Sequence, residues 1–532
     1  MNSTYFPSQP QAWFHHYRTM EVQYILEILH NLEAAIWAVL IFIAFVLISQ
    51  AHYKAQLAKL PTFDIDECNE KWRRTYLKSA RRLYQEGYKK FKNQAWIMPT
   101  SDGRKNVVVP GQLLSELSKL PETVLSFPTA INKVLEVKYT KVAPDEPLAP
   151  YCIKADLNPA LSRLNPIIYR EVENALRDEI PQCEDWAPVF IYQKLVNTVA
   201  KVSGRIFVGA ELSHNKDYLD TAINYTIELG NAVQAVKKMK PWLRPFLAWK
   251  LPEVQQLNKR EEMAIRFLEP IIQARREASK DPDYQKPDDM LQWFLNRSED
   301  YKVHSTKRIV KMQLLVIFAV IHNTTVTATN VLYNLAVSPE YMQPLREEIC
   351  KAISDNDGTL TSRALQQMEK LDSFMKETIR FYPPELTSFS RQTVQGIKLS
   401  SGQYIPPGTS IETPLQAIYQ DDSNYPDSDT FDGFRFYKIR QGGGATVHAR
   451  NQFVTSNEQN LVFGYGKHAC PGRFLAAAEI KMIVSKILLT YDFKNADNWT
   501  ERYSNYEVGR PVRPPPPPRP PTTAGDVSAS DR

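Results

Sequence analysis

Near its far end the chain carries Phe463-Gly464-Tyr465-Gly466-Lys467-His468-Ala469-Cys470-Pro471-Gly472-Arg473-Phe474, a stretch built around one cysteine. The thiolate is the cysteine form that binds metal, and a glycine-rich loop running into a helix offers it backbone N–H donors and a positive helix end. Cys470 is therefore placed as a metal ligand. Gly466 and Gly472 let the backbone pass close to a flat cofactor, Phe463 can cover the sulfur, and Lys467, His468 and Arg473 can meet acidic groups at the cofactor's edge. A buried structural thiol is the plainer reading of a lone cysteine, but it accounts for few of these neighbours.

Phe463, Gly466, Cys470 and Gly472, with a basic residue at 468, resemble the Phe-x-x-Gly-x-(Arg/His)-x-Cys-x-Gly loop of the cytochrome P450 superfamily. The resemblance implies haem, iron protoporphyrin IX, with Cys470 as axial thiolate throughout turnover. Such a ligand pushes electron density onto iron and favours O–O cleavage. Further motifs fall in the family's order. Ala319-Val320-Ile321-His322-Asn323-Thr324 aligns with (Ala/Gly)-Gly-x-(Asp/Glu)-Thr-(Thr/Ser) of the distal helix, with His322 at the acid's place and Asn323 at the usual threonine's. The family threonine holds the water that protonates bound dioxygen, and an Asn amide can orient a water without relaying a proton through a hydroxyl. Either Asn323 takes that role or a local bulge brings Thr324 forward; the unbroken alignment on both sides favours Asn323. His322 could feed protons near neutrality, or be a structural histidine bonded to backbone.

Glu377-Thr378-Ile379-Arg380 lies about ninety residues before Cys470 and matches the family's Glu-x-x-Arg, while Arg435 in Phe431-Asp432-Gly433-Phe434-Arg435-Phe436 takes the family's third place. The resemblance implies a buried ionic lock that supports the haem-binding core. Arg391 is a candidate contact for a haem propionate, and Lys154 stands where relatives often carry a basic residue for the same task, although the common Trp-x-x-x-Arg form is absent.

The elements that must position these residues can be read from pattern. A helix is expected over Lys71 to Lys92, and Trp96 to Pro110 reads as two strands joined at Ser101-Asp102-Gly103-Arg104. Residues 151–180 read as a helix broken near Pro159 and Pro166. Residues 304–337 are apolar on most faces, without Gly or Pro, which predicts a long buried helix whose polar run at 322–325 lines a cavity or bonds the backbone. Thr393 to Thr413 reads as short strands turning at Ser401-Gly402 and Pro407-Gly408, and a helix rich in small residues follows Cys470. Residues 237–252 interleave Lys237, Lys238, Lys240, Arg244 and Lys250 with Trp242, Phe246 and Trp249; they suit a lipid headgroup boundary or an ordinary connection with aromatics packed inward.

An apolar run at 34–51 predicts one membrane-spanning helix; it begins too late and lacks the flanks of a cleaved signal peptide. Lys54, Lys59, Lys71, Arg73 and Arg74 after it place the body in the cytoplasm, with residues 1–33 lumenal. Asn2-Ser3-Thr4 is a weak glycosylation sequon there. Five widely spaced cysteines argue against a disulfide framework or zinc site, and the net charge of +6 on 532 residues is too diffuse for nucleic acid. The expected fold is mainly α with a small β-sheet subdomain, the cytochrome P450 fold, over 55–509, with a Pro-rich disordered tail over 510–532.

The chain is most similar to membrane-bound fungal secondary-metabolite members. That implies an endoplasmic-reticulum monooxygenase taking O2 and electrons from NADPH-cytochrome P450 reductase, with help from cytochrome b5, to oxidise a lipophilic small molecule such as a terpenoid. A desaturating or ring-rearranging enzyme on a polyketide or peptide-derived scaffold, and a non-catalytic haem-binding membrane protein, are the alternatives.

Overall fold

The computed structural model describes residues 11–63, 70–144, 146–496 and 499–515, with side chains from residue 35 onward and at His30 and Leu32. The sequon at Asn2 lies outside the described residues. Helices of three turns or more are numbered in chain order. They are α1 (Gln11–Leu57), α2 (Glu70–Lys90), α3 (Asn158–Glu179), α4 (Ile191–Phe207), α5 (Lys216–Lys238), α6 (Pro252–Ala278), α7 (Thr306–Val337), α8 (Met342–Ser354), α9 (Glu369–Phe381) and α10 (Arg473–Thr490). Strands β1 (Trp96–Pro99), β2 (Lys105–Val108), β3 (Leu125–Ser126), β4 (Ser388–Thr393) and β7 (Ser410–Thr413) form one sheet in the order β1-β2-β7-β4-β3. Two small hairpins, β5 (Ile397–Lys398) with β6 (Tyr404–Ile405) and β8 (Tyr506–Glu507) with β9 (Val512–Arg513), complete the β structure.

Helix α1 is longer than the expected span. Its apolar part, Ala35–Leu57, is long enough to cross a bilayer, and Leu40, Ile41, Phe42 and Phe45 are exposed along it. Only its end joins the body, where Leu57 and Tyr53 pack into the apolar cluster beneath the sheet.

Helix α7 runs through the main core. Apolar residues all round it, with no Gly or Pro for 32 residues, give a helix buried on nearly every side. Two of its threonines cost little there because they bond their own backbone: Thr325 Oγ1 donates to Ile321 O (2.7 Å) and Thr327 Oγ1 to Asn323 O (2.9 Å). Helices α4, α5 and α10 pack against α7.

The expected breaks at Pro159 and Pro166 do not occur. Pro159 sits in the first turn of α3, where a missing N–H costs nothing, and Pro166 is carried inside the helix. The irregularity lies earlier, in a π-helical turn at Ile153–Leu157. The body also extends past 509. Arg510 ion-pairs with Glu412 (2.6 Å), Leu386 N–H donates to Arg510 O (3.0 Å), and β9 follows, so the Pro-rich composition was misread at its start.

Candidate active site

The Cys470 loop is closed by its own backbone. Cys470 N–H donates to Phe463 O (2.7 Å), and Gly464 and Gly466, at φ +76° and +69°, make the tight turns between. At Gly466 a Cβ would stand 3.0 Å from Ser118 Cβ, so both conformation and space demand glycine. Phe463 packs edge-on to Phe453 at 5.4 Å. Helix α10 starts at Arg473, and the Gly472 and Arg473 N–H groups are directed at the sulfur. Burial raises the Cys470 thiol above its ordinary pKa; those two N–H groups and the Arg473 charge pull the other way. Yet the Cys470 side chain is accessible. A side chain both desolvated and accessible faces space inside the fold rather than bulk solvent.

The middle of α7 gives the same sign. Between buried neighbours, Ala319 and Asn323 are exposed, one turn apart on one face. Asn323 Nδ2 donates to Ala319 O (3.1 Å), while Oδ1 has no partner among the described residues. Thr324 is buried, and α7 is α-helical throughout, so no bulge turns Thr324 onto the Asn323 face. His322 is tied on both nitrogens. Nε2 lies 3.1 Å from Ile223 O on α5, which can only accept, so Nε2 carries the proton and Nδ1 accepts from Tyr192 O–H of α4 (3.2 Å). Burial lowers the His322 pKa, so the ring stays neutral at pH 7.

Arg391 is only 5 % exposed and has no ion pair among the described residues. Burial draws its pKa down to about 10. It lies over Phe389 (4.2 Å) and Phe127 (5.1 Å), and Phe127 in turn stacks on His468 (4.8 Å). Strand β4 shifts register between Ser388 and Arg391, and Phe389 sits at φ +56°, so a bulge aims this side chain. A buried guanidinium without an acid fits a ligand that brings one. His468 Nε2 and Lys467 Nζ instead meet Glu122 Oε1, at 2.5 and 3.2 Å, and Arg473 Nη1 donates to Cys470 O (2.7 Å). Of the cationic groups expected at the cofactor's acidic edge, Arg391 and Arg473 make no ion pair among the described residues. Lys154 is exposed on the π turn, and no contact joins it to the other candidates.

Glu377 and Arg380 form a bidentate pair in the interior, Nε to Oε2 and Nη2 to Oε1, both 2.8 Å. Arg435 Nε reaches Glu377 Oε1 at 3.1 Å, and Arg380 Nη1 also donates to Tyr419 O and Ser428 O. A second buried network escaped the sequence reading: Asp372 takes Arg440, Lys481 (2.9 Å) and Phe453 N–H (2.8 Å), joining α9 to α10. Asp372 lies in the same helix as Glu377, and a second ion-pairing residue there was the available signal. Glu122 gave none.

A thiol at a helix start facing an internal space, a buried arginine without an acid among the described residues and an accessible face on α7 fit the donor set of haem held by Cys470. The model of the Cytochrome P450 family matches residues 151–518. The chain belongs to the cytochrome P450 family. Among its relatives, cytochrome P450 monooxygenase ATR3 of Stachybotrys chlorohalonatus is 41 % identical over 76 % of this chain and 85 % of its own length. TES1 of Alternaria alternata is 34 % identical over 91 % of each, and penP of Penicillium crustosum 31 % over 93 % and 95 %; both bear the same description. This P450 is thus a haem-thiolate monooxygenase, an oxidoreductase whose iron and haem supply the redox chemistry.

Proposed function

We propose that this P450 oxidises a lipophilic fungal secondary metabolite, a terpenoid or a related scaffold, with O2 and electrons from NADPH-cytochrome P450 reductase, aided by cytochrome b5. The observation that carries the reading is the accessible Ala319–Asn323 face in the midst of a buried helix, together with an accessible Cys470 side chain just before α10. Haem bound through Cys470 supplies dioxygen activation. Arg391 would hold a propionate, and Gly464, Gly466 and Gly472 would let the loop lie close to the haem, while His468 stays engaged with Glu122. Asn323 Oδ1 orients a water; His322, neutral and bonded twice, holds α4 and α5 to α7.

Membrane access supports a lipophilic substrate. Trp242, Phe246 and Trp249 are 61–69 % exposed beside Arg244 and Lys250, and they suit a headgroup boundary rather than an inward-packed connection. With α1 spanning the endoplasmic-reticulum membrane, the basic residues after it keep the body cytoplasmic. A cavity of about 530 Å³ at the Cys470 loop, lined by Ser118, Gln452, Ser456, Arg473 and Phe474, supports docking of the electron donor on that face.

Asn323 in place of a hydroxyl residue favours one second reading, desaturation or rearrangement with little oxygen insertion. Gene deletion followed by accurate-mass comparison of extracts separates the two. A precursor lacking oxygen atoms present in the lost product supports monooxygenation. A precursor differing only by hydrogen or by isomerism supports the second reading.

A further inference from the structure

Two cations, Arg513 and Lys237, lack an acid among the described residues. Arg513 on β9 donates Nη1 to Pro384 O (3.2 Å) and Val512 O (2.9 Å), and makes no ion pair among the described residues. Lys237, in the last turn of α5, has neither an ion pair nor a hydrogen bond from Nζ there, and burial draws its ammonium down to about 8. The acids nearby are already engaged. Glu412 is held by Arg510 (2.6 Å), Asp102 by Arg104 (2.6 Å), and Glu136 by Arg104 (3.2 Å) and Arg244 (3.5 Å).

One carboxyl lies among the free cations. Glu385 feels the charges of Arg510, Arg513 and Lys237 but bonds none of them. Its backbone bridges to Pro511, and Val512 N–H donates to Pro384 O (2.9 Å), so the segment Pro384–Thr387 and the β8–β9 hairpin form one unit. Glu385 is partly accessible, and burial is the main cause that raises its pKa, so it too faces the interior space and keeps its proton more readily than an ordinary carboxyl. Arg513 also acts on His322 and Tyr192, which places its charge within electrostatic reach of α7 and α4. The excess here is positive, and cations left unpaired in a desolvated site are costly until an anion arrives.

We propose that the substrate carries an acidic group, a carboxylate in the simplest case, held by Arg513 and Lys237 with the Glu385 carboxyl donating a hydrogen bond beside it. This deepens, and rests on, the reading of the pocket as a substrate site. Arg513 keeps Nε and Nη2 for such a group, and a charged guanidinium bonds a carboxylate more strongly than a neutral donor would. The alternative anion is a lipid headgroup at the pocket mouth.

The test uses the precursor that accumulates when the gene is deleted, and its methyl ester. Both are titrated into the full-length haem-loaded enzyme, following the haem absorbance change on binding, with Arg513→Met, Arg513→Lys and Lys237→Met beside the wild type. The precursor is expected to bind an anion exchanger at pH 7. Its Kd should rise about tenfold in Arg513→Met and in Lys237→Met, and about as much when the wild type is offered the ester. Arg513→Lys should stay within about threefold, since it keeps the charge. Lys237→Met removes no side-chain hydrogen bond or ion pair among the described residues, and the haem absorbance and Tm of each variant before titration report whether it has folded. A neutral or cationic precursor overturns the proposal, as does an acid whose Kd ignores both Met variants. Variants that weaken binding to phosphatidylglycerol vesicles but not to the precursor also overturn it, in favour of the headgroup. Whether precursor and product differ in oxygen is scored separately, so the proposed chemistry can fail without deciding this charge, and the reverse.

Discussion

Asn323 and Thr324 are adjacent in sequence and opposite in environment. Asn323 opens onto the internal space with Oδ1 free, while Thr324 is packed away. Asn323→Ala should therefore uncouple NADPH consumption from product, by about tenfold or more for loss of one oriented water. Thr324→Ala should leave coupling nearly unchanged; the reverse pattern, read as product formed per NADPH, would sink the assignment. Glu479 makes a second single-residue case. It is fully buried on α10, receives one hydrogen bond from Ser203 Oγ (3.0 Å), and burial pushes its pKa up to about 8. The folded protein then holds a proton that an unfolded chain releases near pH 4.3. Its contribution is full at low pH and is lost as pH rises toward 8, with a slope of at most about 1.4 kcal/mol per pH unit. Glu479→Gln should flatten that part of the stability profile between pH 5 and 8 in urea unfolding. Parallel profiles for the two proteins would show that Glu479 is ionised in the fold.

At the scale of elements, α9 and α10 carry the charged supports of the site. Removing Glu377 leaves Arg380 charged, buried and short of its bidentate partner, a cost of about 3–5 kcal/mol. Glu377→Ala should yield protein with little bound haem and a lower Tm; normal haem content per chain would contradict the role given to the pair. This lock was legible in the sequence because Glu377 and Arg380 are three apart in a helical pattern and Arg435 stands at the family's third place. The Asp372–Lys481 network was not, since Arg440, Phe453 and Lys481 lie 68, 81 and 109 residues from Asp372 and only packing joins them. Proline misled at Pro166, where its intrinsic cost is overridden by packing, and in the tail, where Val512 and Arg513 find a strand partner despite their surroundings. For the Cys470 loop, pattern sufficed: glycines at positive φ and a cysteine before a helix leave little freedom.

For the whole molecule, a long apolar helix at one end and a patch of exposed aromatics on the body are the two features behind the proposed membrane contact. The apolar run was plain in the sequence, while the orientation of Trp242 and Trp249 was not, because inward and outward aromatics share one composition. In vesicles containing brominated lipids, the full-length protein should show tryptophan quenching that falls when Trp242 and Trp249 become Phe. Unchanged quenching would place the patch away from lipid. The charge of the ligand was illegible for a related reason: Lys237, Glu385 and Arg513 come together only when α5, the segment before β4 and the last hairpin are assembled.

Cys470 as the proximal thiolate is the proposal on which the others depend, supported by its loop before α10 and by the family's haem-thiolate chemistry. The most direct measurement is the absorbance spectrum of the reduced protein under carbon monoxide, for the wild type and for serine at each free cysteine. The strongly red-shifted Soret band of thiolate-ligated haem should appear in the wild type and in the variants at Cys152, Cys183 and Cys350, and should vanish in Cys470→Ser. A red-shifted band that survives in Cys470→Ser would show that the iron is held elsewhere.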